Sequence, residues 1–321
     1  MLKPLTTLVD ELERNLASHL EEGPLELLLG VGPRDPARPV AERFAREHPD
    51  RVRVVVHEEA TGLNPKVNQL IALTREARGE VLACTDASIR VPEGWLRDVV
   101  AALELPGVGV ATNMLSGGEA RTLAAAWDAQ ALTTFVAPNV AVAAVAGMDQ
   151  IVGKSLALRR DVLEALGGWE RFKDVLGEDQ LLGAELARLG LRSHVCPLPV
   201  VDVAPERTLA AFWERHTRWS AIRFRLLRPG AHLEPLLNPT VFALAATLLA
   251  PRRAAGLALS AVASAAFART VGAPRPATFP LQQVVFFAVW LRGSTIRTVS
   301  WQGHRLRMGV RSRLSVPEGG S

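Results

Sequence analysis

The sequence predicts an α/β protein, with a doubly wound and mostly parallel sheet followed by a helical, membrane-associated C-terminal region. Three observations carry that expectation. Apolar runs of strand length alternate with helical patterns through residues 1–204. Aspartates stand where a strand or loop meets a helix, at Asp35, Asp86 and Asp179. The remainder changes character: residues 205–321 hold 16 arginines, no lysine and 4 acidic residues, whereas residues 1–204 hold 21 Lys+Arg against 29 Asp+Glu.

Taken in order, Leu8–Leu20 has a helical pattern, and Leu25–Val31 is an apolar run closed by Gly32-Pro33, as a buried strand would be. Asp35-Pro36 opens a helix over Ala37–His48, with proline in its first turn. Arg51–Val56 alternates as a strand, the Asn64-Pro65 turn starts a helix running to Arg78, and Val81–Thr85 is the third strand. Helix Glu93–Leu103, strand Val108–Thr112 and helix Ala120–Phe135 continue the rhythm. Ala137–Val145 is so rich in small residues that strand and loop both fit. Strand Ser155–Arg159 feeds helix Arg160–Leu166, and Gly177-Glu178-Asp179 introduces helix Gln180–Leu189 before the stop at Gly190. Arg192–Val195 and Val200–Val203 read as two strands. A long helix, Thr208–Leu227, has an apolar-weighted face of Leu209, Phe212, His216, Trp219, Ile222 and Leu226, with Arg215, Arg218 and Arg225 on another.

Composition narrows the class. A hydrophobic content of 48% argues against wholesale disorder. Cys84 and Cys196 fall in strands, so they are expected as buried thiols, with neither a disulfide framework nor a cysteine zinc site. The opening residues do not read as a signal peptide. The apolar runs Thr240–Ala250 and Ala254–Ala268 are split by Pro251-Arg252-Arg253, and a third run covers Val284–Leu291. Each is shorter than the ~20 residues that span a bilayer, which leaves buried, interfacial and re-entrant readings open. Apolar runs beside an arginine-rich helix favour a membrane surface over nucleic acid, and no nucleic-acid partner is expected.

Two familiar fingerprints fail. Gly30-Val31-Gly32-Pro33-Arg34-Asp35 ends in Asp where a dinucleotide loop needs Gly, and Gly147…Gly153-Lys154-Ser155 has the wrong glycine spacing for a P-loop. The aspartates hold more. Any one of them could simply cap a helix. Together they fall on the ligand side of a parallel sheet. Transfer from a nucleotide sugar needs a carboxylate to hold a divalent cation at the diphosphate, a base for the acceptor hydroxyl, and arginines near the departing phosphates.

Six stretches in order carry a resemblance: Leu2-Lys3-Pro4-Leu5, Asp35-Pro36-Ala37, Gly62-Leu63-Asn64-Pro65-Lys66-Val67-Asn68, Asp86-Ala87-Ser88-Ile89-Arg90-Val91, Glu178-Asp179 and Arg215-His216-Thr217-Arg218-Trp219. On these the chain resembles the ceramide glucosyltransferase family, with its bacterial hopanoid-associated members, among the lipid-directed transferases of GT-A fold. The likeness covers residues 2–228 and is weaker through Trp301–Arg307. It implies a GT-A catalytic domain over 1–204, an amphipathic Arg-x-x-Arg-Trp helix over 205–235 that completes the site, and an apolar, basic, membrane-associated region over 236–321.

By the same resemblance Asp35 lies at the nucleobase end of the donor, Asp86 ligates Mg2+ or Mn2+, and Asp179 is the base for inverting displacement. Arg215, Arg218 and Trp219 close over diphosphate and acceptor. Lys66 is expected as a donor-phosphate contact by position and charge, with a solvated helix-start lysine as the alternative. The implied reaction moves a hexose from a UDP-sugar, with UDP-glucose favoured, to a lipid hydroxyl on the cytoplasmic face of a membrane, a bacterial inner membrane by this likeness. A non-catalytic, membrane-associated sugar-nucleotide-binding protein on the same scaffold is the alternative. Two departures stand out. Ser88 replaces the second carboxylate of the commoner Asp-x-Asp pattern. The family pattern also places an anchor and a full first strand before Lys3-Pro4-Leu5, so translation from upstream of Met1 is favoured over docking through the C-terminal part alone.

Overall fold

The structure is a computed structural model that describes residues 1–23, 25–58, 60–226, 230–233, 247, 253–301 and 304–317. It divides into two compact units, one of Met1–Gly118, Ala137–Ala204 and Arg313–Ser315, the other of Glu119–Val136, Pro205–Ser312 and Val316–Ser321.

The first unit is built on β1 (Leu2–Pro4), β2 (Leu27–Val31), β3 (Val52–Val56), β4 (Val81–Thr85), β5 (Ile89–Arg90), β6 (Val108–Gly117), β7 (Ser155–Arg159) and β8 (Arg192–Asp202). They form one sheet in the order β3-β2-β1-β4-β7-β6-β8-β5. Strands β3, β2, β1 and β4 are parallel, β7 is antiparallel to β4 and β6, β8 is parallel to β6, and β5 is antiparallel to β8. The expected mostly parallel α/β sheet is therefore present. Helices α1 (Leu12–Leu20) and α2 (Arg38–Glu47) share a core with Leu27, Leu29 and Val31, while α3 (Pro65–Glu76) and α8 (Glu178–Arg188) share another with Leu28, Leu82 and Leu158. Burial on both faces is why β2 reads Leu-Leu-Leu with no polar alternation.

The strand order reverses at β1, with β2 on one side and β4 on the other. In open α/β sheets such a switch point opens a crevice at the strands' C-terminal ends. Asp86 directly follows β4 there, and Asp202 ends β8 on the same edge. Strand β1, three residues long, is interior, paired in parallel with β2 on one side and β4 on the other. Cys84 and Cys196 are buried, as expected.

Two sequence expectations are corrected. Ala137–Val145 is helical, α6. Its alanines suit a helix, and its small side chains left no period to read. Arg192–Val195 and Val200–Val203 are one strand, β8, that continues through Cys196-Pro197-Leu198-Pro199. Proline lacks the ladder donor, but β5 pairs with β8 only at Val201 and Asp202, so the prolines occupy an open edge. Asn113 Nδ2 donates to the Leu198 carbonyl at 2.9 Å beside an irregularity in the β6–β8 register.

The second unit contains α5 (Leu123–Ala131), the π-helical turn Leu132–Val136, α9 (Leu209–Leu226), α10 (Arg253–Thr270), α11 (Phe279–Thr295) and the hairpin β9 (Thr298–Trp301) with β10 (His304–Met308). The buried stripe of α9 is Phe212, Arg215, His216, Thr217, Ser220, Ala221 and Phe224, rotated from the expected apolar face, and Leu209 is exposed. A carboxylate on α5 causes the rotation by drawing Arg215 and His216 inward (below). Runs Ala254–Ala268 and Val284–Leu291 lie in α10 and α11, while Thr240–Ala250 lies outside the described residues except for Thr247. No helix among the described residues is long and apolar enough to cross a membrane.

Candidate active site

The stretch Gly62–Asn68 is fixed first. Asn64 caps α3 by accepting from Val67 N–H at 3.1 Å, and its Nδ2 donates to the Val175 carbonyl at 2.7 Å. Leu63 N–H donates to Asp174 Oδ1 at 2.9 Å, and Asn68 closes the turn by bonding both Gly62 N–H (2.9 Å) and Gly62 O (2.8 Å). A Cβ on Gly62 would lie 2.6 Å from the Lys173 carbonyl, so only glycine permits this approach. The loop before α3 is thereby tied to the segment that leads into α8.

Lys66, in the first turn of α3, reaches inward. Its Nζ lies 3.0 Å from Asp86 Oδ1, 3.0 Å from Glu178 Oε1 and 2.5 Å from the Gly153 carbonyl. All three donor directions of the ammonium are engaged. Lys154 Nζ approaches the other oxygen, Asp86 Oδ2, at 3.3 Å, and also meets Ser88 Oγ at 3.1 Å and Asp202 Oδ1 at 3.3 Å. Ser88 Oγ donates to Asp202 Oδ1 at 2.5 Å. Burial opposes ionisation of Asp86, but the two lysines prevail and bring its carboxyl down to about 2.

Asp179 sits at the start of α8. Gly153 N–H donates to its Oδ2 at 2.9 Å and Gln180 N–H to its Oδ1 at 2.8 Å. Burial, with the neighbouring Glu178 charge, nevertheless pushes its carboxyl up to about 6, which is the range a general base needs. A Cβ added to Gly153 would stand 2.7 Å from Asp179 Oδ2. Gly153→Ala is therefore expected to push the carboxylate aside, and the result expected of Asp179 in the base role the resemblance implies is a kcat lowered by about a hundredfold. An unchanged circular dichroism spectrum beside the lowered kcat would locate the effect at Asp179.

The structure thus gathers Lys66, Asp86 and Asp179 around the Gly153-Lys154 loop. Asp35 is elsewhere on the edge: its Oδ1 accepts from Ala37 N–H at 3.0 Å, and burial raises its carboxyl above the usual range. Among the described residues, no hydrogen bond or ion pair joins Asp35 to Lys66, Asp86 or Asp179. Sequence reasoning missed Glu178 as a partner of Lys66, and it missed Lys154 and Asp202. A usable signal existed for Lys154. The chain has four lysines against 33 arginines, and Lys3, Lys66 and Lys154 all converge here: Lys3 Nζ, fully buried, donates to Thr85 Oγ1 and to the Ile89 carbonyl at 3.0 Å.

In the second unit Asp128 of α5 is the centre. Its Oδ2 lies 2.6 Å from Arg215 Nη1 and 2.9 Å from Arg207 Nε, and its Oδ1 is 2.8 Å from His216 Nε2. The Arg215 guanidinium stacks 4.3 Å over the Trp219 ring. Burial, then the charge of Arg215, lowers Arg218 to about 10. Arg218 makes no hydrogen bond or ion pair among the described residues, whereas Arg215 is committed to Asp128.

Residues 1–314 match the family model described as Glycosyl transferase family 21. The chain belongs to glycosyl transferase family 21. This family 21 chain is 24% identical over 241 residues to ceramide glucosyltransferase 1 of Caenorhabditis elegans, covering 74% of the chain and 52% of that protein. It is 25% identical over 186 residues to ceramide glucosyltransferase 3 of the same organism, covering 56% and 39%. The family 21 chain spans about half the length, or less, of these relatives. Among solved structures, a mannosyltransferase from Pyrobaculum calidifontis in complex with GDP-Man and Mn2+ is similar in fold, with TM-score 0.52 and 22% identity over 91% of this chain and 85% of that one. The fold of the family 21 chain is of the expected GT-A kind.

Proposed function

We propose that this family 21 glycosyltransferase moves a hexose from a UDP-sugar, with UDP-glucose the first candidate, to the hydroxyl of a lipid such as ceramide, a hopanoid or a diacylglycerol, with inversion. The observation that carries the reading is the joining of Asp86 and Asp179 through Lys66, Glu178 and the Gly153-Lys154 loop at one sheet edge. Asp179 takes the acceptor hydroxyl proton. The oxygen attacks the anomeric carbon, the bond to the diphosphate breaks on the opposite side, and UDP leaves. Asp35 serves the nucleobase end, and Lys66 holds Asp86 and Glu178 in place, meeting a donor phosphate only by giving up one of its three present partners.

The residues present fit a divalent cation. A positive group, the Lys154 ammonium, already rests against Asp86 Oδ2, and oxygen ligands suit Mg2+ or Mn2+. Asp86 would hold it, and when bound it neutralises charge on the departing diphosphate. The relative of known structure that binds Mn2+ with a nucleotide sugar, and the ceramide glucosyltransferases among the relatives, support the metal and the lipid class. Within α9, Arg218 is the arginine of the Arg-x-x-Arg-Trp stretch left to meet an anion, with Arg215 committed to Asp128 and stacked on Trp219.

A membrane surface is the proposed setting. Leu259 and Val262 of α10 are 71% and 66% exposed and Leu281 of α11 is 57% exposed, on helices bearing arginine and no lysine. Exposed apolar side chains of this size on basic helices suit a bilayer interface. Incubating the chain with lipid vesicles of the three acceptor classes and labelled UDP-sugars should place label in the lipid fraction. Donor binding with no labelled lipid from any pair would favour the binding-protein reading instead.

A further inference from the structure

We propose that Asp86, Ser88 and Asp202 together form a cation seat, that Asp202 supplies the carboxylate which Ser88 leaves out, and that the Lys154 ammonium occupies the seat until a divalent ion displaces it. The inference deepens the proposed metal-dependent transfer and rests on that reading.

Three oxygens from two parts of the chain, the β4–β5 turn and the end of β8, converge on one nitrogen. Asp86 Oδ2 follows β4, Ser88 Oγ precedes β5 and Asp202 Oδ1 ends β8, at 3.3, 3.1 and 3.3 Å from Lys154 Nζ. The sheet enforces the convergence: Ile89 is in register with Asp202, and Val203 N–H donates to the Ser88 carbonyl at 2.8 Å. Sequence spacing places a serine where a second carboxylate is common, and the fold returns a carboxylate to that serine from 114 residues away. Asp202 is not a solvated surface acid, since its side chain is 1% exposed. Desolvating a carboxylate is costly unless a cation is held against it, and Lys154 is a cation held against this one.

The choice of lysine is informative in a chain that otherwise uses arginine. A guanidinium is a planar fork suited to one carboxylate at a time, whereas an ammonium is a compact point charge with three donors at wide angles. Only the second imitates a hard cation among oxygens. The backbone holds the lysine in reach, because Asp86 N–H donates to the Lys154 carbonyl at 3.1 Å. The set also differs from an acidic cage: among the described residues, no three His, Cys, Asp or Glu side chains could hold a metal ion. Two carboxylates and a hydroxyl give a seat that exchanges its cation, with part of the metal's binding energy used to displace the ammonium.

The test uses the full chain and Mn2+ alone, titrated by calorimetry and by the electron paramagnetic resonance signal of free Mn2+, without donor or acceptor. Asp202→Asn should weaken Mn2+ binding by about tenfold or more, the loss typical when a metal site loses an organising carboxylate. Lys154→Met should tighten it by about tenfold, the equivalent of removing ~1.4 kcal/mol of competition. Because Asp202→Asn could disturb folding, the pair Ser88→Asp with Asp202→Asn is included. Moving the carboxylate back to position 88 should restore Mn2+ binding, and thermal melts establish that each variant is folded. Equal affinity in Asp202→Asn and the parent, or weaker binding in Lys154→Met, would overturn the seat. Absence of Mn2+ binding in both the parent and Lys154→Met would overturn it too. Sugar transfer is scored separately: a chain that transfers sugar but binds Mn2+ identically in all variants loses the seat alone, while one that binds as expected and transfers nothing loses the transfer reading alone.

Discussion

Asp179→Asn is expected to lower kcat by about 10²–10⁴-fold, the usual contribution of a general base, while leaving donor affinity within a factor of about two. The amide is isosteric but cannot accept the acceptor's proton. Its pH dependence sharpens the result. Burial and the adjacent Glu178 raise the Asp179 carboxyl to about 6, and the base must be ionised to work. The parent's kcat/KM should therefore fall as pH drops through about 6. The residual rate of the variant should lack that limb. A variant that keeps both the rate and the limb would remove Asp179 from the mechanism.

The largest stability effect is expected at Asp128. Asp128→Ala leaves Arg215, Arg207 and His216 facing a buried hole, and losing one partner of a buried charged network costs about 3–5 kcal/mol. Urea unfolding should show the loss as a lower midpoint, and Asp128→Asn, which keeps one acceptor oxygen, should lose less. The pH dependence has a definite sign. His216 is held neutral, with burial lowering it to about 4, so the unfolded chain takes up a proton first and stability falls between pH 6.5 and 4. Asp128 is held down at about 2 by Arg215 and His216 against the cost of burial, so its contribution is present above its unfolded value, near 4, and disappears as pH falls toward 2. Both losses run toward acid. The raised Asp179 carboxyl runs the other way, adding stability as pH falls through about 6, so the His216 loss is read as a difference. The parent should lose stability relative to His216→Gln between pH 6.5 and 4, and a difference that stays constant would contradict the assignment.

Much of the sheet was legible because the chemistry that makes a buried strand is local. Val81–Thr85 and Ser155–Arg159 match the sequence boundaries residue for residue, since each is an apolar run with polar or glycine punctuation. Ala137–Val145 was not legible, because small side chains carry too little apolar area to mark a period. Strand β8 was split by its prolines, whose tolerance depends on an open edge that only the topology reveals. The site divides the same way. Asp86 and Asp179 were visible from their places at strand and helix ends, but their environments were not. The pairing of Ser88 with Asp202 spans 114 residues, and the hold of Asp128 on Arg215 spans 87. Neither leaves a spacing to read. That hold also explains why Arg215 points inward despite a sequence pattern that put it with the other bases.

The uneven use of the two basic residues has a practical consequence for following this protein in solution. Arginine is inert to mild acylating and reductive-alkylating reagents because its guanidinium stays protonated, so the 33 arginines are silent to them. The side-chain amines that remain are Lys3, sealed in the core, Lys66 and Lys154, pinned by carboxylates, and Lys173, partly open beside the Gly62 turn. Amine modification followed by peptide mapping is therefore a nearly background-free report on one small region. A ligand that releases Lys154 from its carboxylates would register as a newly reactive nitrogen at a single mapped position.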